Sequence, residues 1–573
     1  MRGRTHRSVA LVERPAAFAR SAPPAPTVLT TLIVLTALIG CTAPATSPTR
    51  RPNILLIVAD DMGYTDLGAY GSEIATPVLD RLAAGGLKFS RFRTSPVCSP
   101  TRASLLSGTD PHVAGLGNMF EDLAPNQKGQ PGYEGFLNFS VAALPEVLQA
   151  AGYHTYMAGK WHLGLEEQTG PAARGFERSY ALLQGGGGHF ANMQPILGDG
   201  RSKYRDNGAL VAQVPADFYS TRFFADTLMR YIGERSPQDE APFFAYLAFT
   251  APHFPLQAPD DSIARYKGRY DGGYDRLFVD RLDAAKRLGL VPASARGGDP
   301  YPGQPRWDAL TLPQQATEAR RMEIFAAMVT DVDTHVGRVL DFLRARGDLD
   351  HTIVVFMSDN GAEGHHMETE WVELAEHAAR CCDNSLANMG RPGSYVWLGP
   401  NWARASTAPF KWFKGHFSEG GVRAPLIVSY PALKTTGLTD AVASVADVMP
   451  TVLDLVGVPR PGAQFAGRAV APITGVSLRP LLDGRAPSAH APDNETAGEL
   501  FGKRFVAEGS LKALLLPKPH GTGQWQLYDL DADPSETTDL ARVRPVDLAR
   551  LRGRWDRYAA RNRVIVPDWV SGY

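Results

Sequence analysis

The stretch Asn53–Gly63, with the sequence NILLIVADDMG, decides the fold class of this 573-residue chain. It begins with a continuous apolar run, which is typical of a strand that is covered on both faces of its sheet. Two acids, Asp60 and Asp61, follow the run directly. In open α/β sheets, ligands bind beyond the carboxyl ends of such strands. We therefore predict an α/β fold with a functional site at this edge.

Two further apolar runs have the same arrangement. Residues 352–357 (TIVVFM) are followed by Asp359 and Asn360, and residues 242–249 (PFFAYLAF) precede His253. Elsewhere apolar residues recur every three or four positions, which predicts amphipathic helices. The clearest of these predicted helices cover residues 77–84, 144–151 and 318–346. Alternating strands and helices favour a sheet with helices packed against it.

The chain is too long for one ordinary core, and its pattern changes after about residue 430, where the strand-like pieces become shorter. We predict an export segment over residues 1–50, a large domain over 51–440 and a smaller α+β domain over 441–573. The smaller domain is expected to hold an antiparallel sheet and a helix. The Gly- and Pro-rich segment 288–312 is predicted to be a surface insertion.

The composition excludes several classes of protein. With 44% hydrophobic and 21% charged residues, the chain is typical of a globular protein and not of a disordered one. Lys and Arg number 59 and Asp and Glu number 60, so no overall positive field attracts nucleic acid or an anionic membrane. We therefore expect no nucleic-acid partner, and any anion site has to be built locally.

The first forty residues predict export. Three early arginines precede an apolar run over residues 28–40, which is too short to span a bilayer comfortably. The run ends in Leu38-Ile39-Gly40-Cys41, which resembles the lipobox of bacterial lipoproteins. We expect a periplasmic protein or a lipoprotein whose only link to the membrane is a lipid on Cys41. The alternative is an ordinary signal peptide in which Cys41 has no role.

Only four cysteines occur in the chain, too few for a disulfide framework in an exported protein of this size. Cys381 and Cys382 are adjacent, and because adjacent cysteines bridge only with strain, we predict two separate thiols. Cys98 lies apart from them in a polar, proline-containing segment. That position calls for a chemical explanation.

The segment Cys98–Arg102 (CSPTR) resembles the C-x-P-x-R signature of the type I sulfatases, in which a modifying enzyme oxidises the cysteine to formylglycine. The following Leu105–Gly108 also fits, with Ser107 where family members more often have threonine. A cysteine phosphatase is excluded, because its phosphate loop places five residues between Cys and Arg and only three intervene here. The resemblance extends over nearly all of the chain after residue 50 and is strongest to the bacterial arylsulfatase branch.

The resemblance implies an alkaline-phosphatase-like mixed sheet sandwiched by helices. It also implies hydrolysis of a small-molecule sulfate ester after a formylglycine-generating enzyme has modified Cys98. This branch favours an aryl sulfate, and alkyl and carbohydrate sulfates stay open as alternatives. A hydrated aldehyde carries two hydroxyls on one carbon, so one can attack sulfur while the other later expels sulfate. An unmodified thiol or a serine has no such second hydroxyl.

A second family signature covers Gly152–His162 (GYHTYMAGKWH). By resemblance, Lys160 stabilises the charge of the nucleophile and the sulfate, and His162 is the base that drives sulfate release. The resemblance also implies that the short loop after Gly159 bends and brings both side chains to the sulfate.

The acids after the first and later strands are candidate metal ligands. Asp60, Asp61, Asp359 and Asn360 offer hard oxygen atoms, which suit Ca²⁺ or Mg²⁺ and not zinc. The family resemblance implies one calcium ion, with the modified Cys98 as a further ligand.

Three more residues complete the family pattern by resemblance. His253 corresponds to the histidine that contacts sulfate and protonates the leaving oxygen, and Lys414 corresponds to the second sulfate lysine, with Lys411 as its nearest rival. Arg102 is implied to bind the formylglycine hydroxyl and the metal-bound carboxylates. Together such cations would neutralise the charge that develops on the sulfate and the leaving group.

Some readings stay open. His112 and His189 either line the substrate pocket or are packed loop histidines. A phosphonate or phosphate-ester hydrolase of the same superfamily is the nearest alternative enzyme. A lipoprotein that binds sulfated glycans without hydrolysing them is the alternative from another class, and it requires Cys98 to stay unmodified.

Overall fold

The computed structural model describes residues 50–236 and 238–571. The predicted export segment and Cys41 lie outside these residues. Within them, no helix is both long and apolar enough to cross a membrane.

Sixteen strands and fourteen α-helices form the described part of the chain. The strands are β1 (Asn53–Ala59), β2 (Leu87–Arg93), β3 (His154–Lys160), β4 (Arg178–Leu182), β5 (Tyr204–Asp206), β6 (Ala209–Val211), β7 (Phe243–Ala248), β8 (Thr352–Ser358), β9 (Leu426–Ser429), β10 (Gly437–Ser444), β11 (Gln464–Phe465), β12 (Arg468–Ala469), β13 (Glu495–Leu500), β14 (Lys503–Glu508), β15 (Leu511–Leu515) and β16 (Trp525–Asp529). The helices are α1 (Pro77–Gly85), α2 (Cys98–Ser107), α3 (Leu144–Ala150), α4 (Ser220–Gly233), α5 (Asp260–Ala264), α6 (Tyr274–Arg287), α7 (Leu312–Ala345), α8 (Met367–Glu370), α9 (Val372–Cys381), α10 (Pro400–Ser406), α11 (Glu419–Val422), α12 (Val448–Leu455), α13 (Arg479–Leu482) and α14 (Pro545–Asn562).

Ten strands form one mixed sheet in the order β10-β2-β9-β8-β1-β7-β3-β4-β5-β6. The central run from β8 to β4 is parallel, while β9, β5 and β6 pair antiparallel with their neighbours. The predicted α/β fold with a mixed sheet is confirmed. Because β8, β1, β7 and β3 are adjacent and parallel, the residues that follow them meet at one edge.

Helices cover both faces of this sheet. Leu55 and Ile57 of β1 pack into one core cluster, which also contains the buried face of α7, whereas Leu56 and Val58 pack into a second cluster with residues of α2, α3 and α12. Alternate burial on two faces explains why the strand reads as a continuous apolar run. Helix α7 begins six residues before the predicted start, because the amide of Thr311 is capped by the side chain of Gln314.

The C-terminal part contains the predicted antiparallel sheet and helix. Strands β13 to β16 form a four-stranded antiparallel sheet, and α14 packs on it through Leu551, Trp555 and Tyr558. Strand β10, at residues 437–444, belongs to the large sheet by pairing with β2. The proposed domain division near residue 440 stays a prediction.

Two details differ from the sequence predictions. Cys381 and Cys382 are disulfide-bonded, so the prediction of two separate thiols is wrong. Cys381 ends α9 and Cys382 is extended, and this change of backbone direction brings the adjacent sulfur atoms together. The segment 288–312 is irregular as predicted, but it is more than a surface insertion, since Val291 and Tyr301 are buried.

Candidate active site

The carboxyl ends of four adjacent strands bring the predicted site residues together. Asp60 and Asp61 follow β1, Asp359 and Asn360 follow β8, and His253 follows β7. Lys160 is the last residue of β3, with His162 two residues later. All ten predicted site residues are buried: Asp60, Asp61, Cys98, Arg102, Lys160, His162, His253, Asp359, Asn360 and Lys414.

The backbone turns sharply at this edge. Asp61 and His162 both have left-handed backbone conformations, with φ of 66° and 55°. Gly159 has φ of 127°, and a Cβ atom there would lie 1.8 Å from the carbonyl oxygen of Ala248 on β7. Only glycine fits such a close approach. The loop after Gly159 therefore bends, as the family resemblance implied.

Cys98 is the first residue of α2, which enters the site from the side of the sheet edge. Its Sγ lies 3.4 Å from Oδ1 of Asp60 and 3.8 Å from Oδ1 of Asp61. Pro100 lies in the first turn, where a missing amide hydrogen costs nothing. Arg102 is one turn further along the same face.

Arg102 and Lys160 tie three elements together. Arg102 donates from Nε and Nη2 to Oδ2 of Asp359 at 3.0 and 2.7 Å, and from Nη1 to the carbonyl oxygen of Lys160 at 3.1 Å. Lys160 donates to both carboxylate oxygens of Asp60, at 2.8 and 2.9 Å. Each buried cation therefore has a buried carboxylate as its partner.

Lys414 is the second lysine of the site. Its Nζ lies 3.0 Å from Oδ2 of Asp61 and 3.2 Å from Oε2 of Glu363. The rival, Lys411, instead lies over the rings of Trp412 and Tyr528. The structure thus brings Lys414, and not Lys411, to the sheet edge.

Two histidines border the site. His162 hydrogen-bonds through Nε2 to Oε1 of Glu121 at 2.9 Å, while its buried Nδ1 has no hydrogen-bond partner among the described residues. Burial lowers the pKa of His162 although Glu121 opposes the shift, so the imidazole is neutral at neutral pH. His253 donates from Nδ1 to the carbonyl of Phe254, and its Nε2 lies 3.6 Å from Oδ2 of Asp61.

Several observations fit a divalent cation at this edge. One ligand atom from each of Asp60, Asp61, Cys98 and His253 lies within 4.8 Å of the others. Burial raises the pKa of Asp60 to about 7, against the effect of Lys160, and burial also raises the pKa of Asp61. Such shifts mean that these carboxylates lack enough positive charge nearby.

The side chain of Asn360 gives a second sign of a cation. Its Nδ2 donates to Oδ1 of Asp61 at 2.6 Å, while its buried Oδ1 has no partner among the described residues. Its Nδ2 also donates to the carbonyl of Gly361 at 2.9 Å. Oxygen and nitrogen of an amide are assigned from such networks, and turning the group over would place its oxygen beside Oδ1 of Asp61, which only a cation between the two oxygens would make favourable. Carboxylate and amide oxygens are ligands that Ca²⁺ and Mg²⁺ accept.

Sequence reasoning missed two acids of the site. Glu363 lies four residues after Asp359 and pairs with Lys414 and with His365. Its place in the loop after β8 was a usable signal. Glu121 lies on a short 3₁₀ helix and holds His162, and no local pattern marks it.

His112 and His189, left open by the sequence, do not line the cavity above Cys98. His189 hydrogen-bonds through Nδ1 to Ser220 and through Nε2 to the carbonyl of His253, so it supports the loop that carries His253. His112 lies in a separate cavity beside the C-terminal sheet. Both are therefore packed loop histidines.

A cavity of about 720 Å³ opens above Cys98, which lies at its floor together with His162, His253 and Lys414. Most of its remaining wall is apolar, and its size is that of pockets that bind drug-sized molecules. A reacting group at Cys98 would thus meet the charged cluster on one side and an apolar wall on the other.

Comparisons with known proteins agree with this site. The sulfatase family model matches residues 52–458. An uncharacterized sulfatase of Schizosaccharomyces pombe is 44% identical over 536 residues, 91% of this chain and 95% of the relative. The arylsulfatase of Klebsiella aerogenes is 37% identical over 455 residues, 77% of this chain and 94% of the relative. Human arylsulfatase A is 30% identical over 530 residues, 86% of this chain and 83% of the relative.

A solved structure agrees in fold. The crystal structure of Ps i-CgsB superposes with a TM-score of 0.64 and 25% identity, over 91% of this chain and 95% of that chain. The family match covers well over half of the described chain and includes the elements that hold Asp60, Cys98 and Asp359. The chain therefore belongs to the sulfatase family and is a sulfuric ester hydrolase, similar to the arylsulfatases.

Proposed function

We propose that this protein hydrolyses aryl sulfates with a formylglycine made from Cys98 and with one bound calcium ion. The observation that carries the proposal is the position of Cys98 Sγ, which lies within hydrogen-bonding reach of two aspartates in a buried ring of acids and cations. A formylglycine-generating enzyme is the maturation partner that this proposal requires.

Asp60, Asp61, Asp359 and Asn360 would hold the calcium ion. When bound, the ion would stabilise negative charge on an oxygen of the nucleophile or of the sulfate. The residues present fit this role, because ligand atoms of Asp60 and Asp61 converge with Cys98 Sγ, Asp359 and Asn360 both contact Asp61, and the pKa values of Asp60 and Asp61 are raised by burial. Magnesium fits the same donor types, and the choice of calcium follows from the family resemblance.

Formylglycine would supply two hydroxyls on one carbon, one to attack sulfur and one to drive release of sulfate. Arg102 fixes Asp359 and lies beside Cys98, so it would hold the hydroxyl-bearing group against the carboxylates. His162 is oriented by Glu121 through Nε2, which leaves Nδ1 as the basic nitrogen. His162 is therefore suited to take a proton during sulfate release.

Lys160, Lys414 and His253 would bind the sulfate and the leaving oxygen. The two lysines supply positive charge in a buried site, where it acts most strongly on the transition state. In the structure the Nδ1 hydrogen of His253 is committed to the carbonyl of Phe254. To protonate a leaving oxygen, His253 must therefore gain a second proton on Nε2, which a bound sulfate anion would favour.

The aryl class is supported by the cavity and by the relatives. The wall above Cys98 is largely apolar, and the relatives in Klebsiella aerogenes and human are named arylsulfatases. We also propose that the protein is exported, on the apolar run 28–40, with a lipid on Cys41 as the possible anchor.

The test is the mass of the peptide containing Cys98, measured on protein from a host with a formylglycine-generating system, together with turnover of 4-nitrophenyl sulfate. We expect a mass lower by the difference between cysteine and the aldehyde, and loss of turnover in Cys98→Ala. Active protein with an unmodified thiol would contradict the formylglycine proposal. Faster turnover of a matched phenyl phosphonate than of the sulfate would favour the phosphonate hydrolase alternative.

A further inference from the structure

Four exposed apolar side chains surround the opening of the cavity above Cys98. They are Phe120, Leu197, Val372 and Trp569, with exposed fractions of 54%, 52%, 48% and 43%. Single exposed apolar residues need no explanation, but a cluster around one opening marks a binding surface. We refer to these four residues as the apolar collar. They come from four segments that are distant in sequence, so the collar exists only in the folded chain.

The segment after α14 positions Trp569. Asn126 donates from Nδ2 to the carbonyl of Val566 at 2.8 Å, and Gln127 donates from Nε2 to the carbonyl of Ile565 at 2.8 Å. The amide of Ile565 donates in turn to the hydroxyl of Tyr133 at 2.7 Å. Gln127 is fully buried, so the attachment is specific and not a loose surface contact.

Below the collar, the wall of the cavity stays apolar. Phe254 and Leu374 are buried in a satellite core cluster, against which Ile196 and Trp371 pack. An apolar path thus continues from the collar toward the floor at Cys98. A ligand that reaches Cys98 has to place its remaining atoms along this path.

The charged side chains that line the cavity restrict the class of ligand that it can bind. Four carboxylates also line the cavity, those of Glu121, Asp122, Glu370 and Glu373, while its lining holds no arginine and only one lysine, Lys414, which lies at the floor. A second negative group on the substrate would therefore meet more carboxylates than cations in the lining of the cavity. Sulfated glycans carry such groups repeatedly.

We propose that the apolar collar binds a bulky, apolar leaving group of at least two rings, with Trp569 as a specificity-determining residue, and that the carboxylates disfavour a second anionic group. This rests on the proposed sulfate-ester hydrolysis at Cys98. The cavity volume of about 720 Å³ supports the size, because it exceeds what a single ring needs. The aromatic face of Trp569 would stack on a ring of the leaving group.

Affinity tests the collar without depending on turnover. In Cys98→Ala protein, we measure binding of 4-methylumbelliferyl sulfate, which has two fused rings, and of 4-nitrophenyl sulfate, which has one. Adding Trp569→Ala is expected to weaken binding of the two-ring ligand about 3- to 10-fold and of the one-ring ligand less than about 2-fold. Trp569→Phe is expected to retain most of the affinity, and Val570→Ala, in the same segment, is the matched control.

A second pair of ligands tests the charge. The sulfate of 7-hydroxycoumarin-4-acetate has the rings of 4-methylumbelliferyl sulfate but adds a carboxylate. We expect Glu373→Gln to reduce the preference for the uncharged ring about 2- to 5-fold. Asp556→Gln, an exposed acid on α14 that does not line the cavity, is expected to leave the preference unchanged.

The outcomes separate this inference from the proposed function. Equal affinity of Cys98→Ala protein with and without Trp569→Ala for the two-ring ligand would overturn the role of Trp569, whatever the turnover of the wild type. Dependence of binding on Trp569 in a protein that hydrolyses no sulfate ester would uphold the collar and contradict the proposed function. An unchanged preference in Glu373→Gln would overturn the role of the carboxylates.

Discussion

Two buried clusters of charged side chains differ in their ratio of acids to cations. Around Cys98, the carboxylates of Asp60, Asp61, Asp359 and Glu363 face the cations of Arg102, Lys160 and Lys414. Around Glu419, the carboxylates of Glu419 and Glu536 face the cations of Arg93, Arg423 and Lys512. The first cluster holds four acids for three cations, and the second holds two acids for three cations.

The pKa values of Asp60, Asp61 and Glu419 follow this difference. The other acids do not: although burial opposes it, Arg102 lowers the pKa of Asp359 and His365 lowers that of Glu363, and burial raises the pKa of Glu536. Burial raises the pKa of Asp60 to about 7 and raises that of Asp61. Burial likewise opposes the charge of Glu419, but Arg93, Lys512 and Arg423 outweigh it and hold the pKa of Glu419 well below its usual range. The excess negative charge near Cys98 is what a divalent cation would balance. The shortage of positive charge beside Asp60 and Asp61 thus favours a cation site there, whereas Glu419 already has three cationic partners and is assigned a structural role.

Removing Glu419 should have the largest effect on stability. In Glu419→Gln, three buried cations lose their main partner, and breaking such a network costs about 3 to 5 kcal/mol. We expect this loss in the free energy of unfolding, measured with urea, and a kcat on aryl sulfate within about 3-fold of wild type for the folded protein. A strong fall in kcat at unchanged stability would contradict the structural role of this cluster.

The corresponding substitution near Cys98, Asp61→Asn, should lower activity strongly and change stability little. In Asp61→Asn, kcat/KM on 4-nitrophenyl sulfate is expected to fall on the order of 10³-fold, because a cation ligand and the partner of Lys414 are lost. In the presence of a chelator, the free energy of unfolding should stay within about 1 kcal/mol of wild type or rise, since an unfavourably buried charge is removed. Urea unfolding in chelator checks this. A fall in the free energy of unfolding as large as that of Glu419→Gln would contradict the proposed difference between the two clusters.

His112 tests how a buried charge with carboxylate partners contributes to stability as the pH changes. Burial alone would lower the pKa of His112, but the hydrogen bond to Asp110 and the charge of Glu499, whose Oε2 lies 3.8 Å from Nε2, raise it to about 9. Because the folded pKa lies above the unfolded value of about 6.5, its stabilisation is complete below about pH 6.5 and is lost as pH rises through about 9. The stabilisation at stake is about 3 kcal/mol.

Urea unfolding of wild type and His112→Gln at pH 6, 8 and 10 measures this effect. We expect the difference in unfolding free energy between the two proteins to be largest at pH 6 and to shrink by pH 10. A difference that does not change with pH would show that His112 acts by packing alone.

Most of the site residues could be predicted from the sequence, because they lie in short local segments. The acids after β1 and β8, the Cys98–Arg102 signature and the Gly159–His162 turn each lie in one short segment, so their spacing could be read directly. Glu121 and Trp569 could not be found in this way, because each meets the site only through long-range packing of loops.

The disulfide and the roles of two histidines were not predicted, for different reasons. The disulfide between Cys381 and Cys382 depends on how the chain leaves α9, which sequence spacing does not determine. His112 and His189 lie in segments that resemble the family, yet their partners, Asp110 and Ser220, are structural. A polar residue near a signature is therefore weaker evidence than a residue within it.

The comparison between the two clusters rests on a cation at the site around Cys98. Isothermal titration with calcium, on chelator-treated wild type and Asp61→Asn, tests this most directly. We predict one ion per chain in wild type and a stabilisation of about 2.7 kcal/mol when calcium is 100-fold above its Kd, with neither in Asp61→Asn. Absence of binding to wild type, or equal binding to both proteins, would contradict the assignment of this cluster as a calcium site.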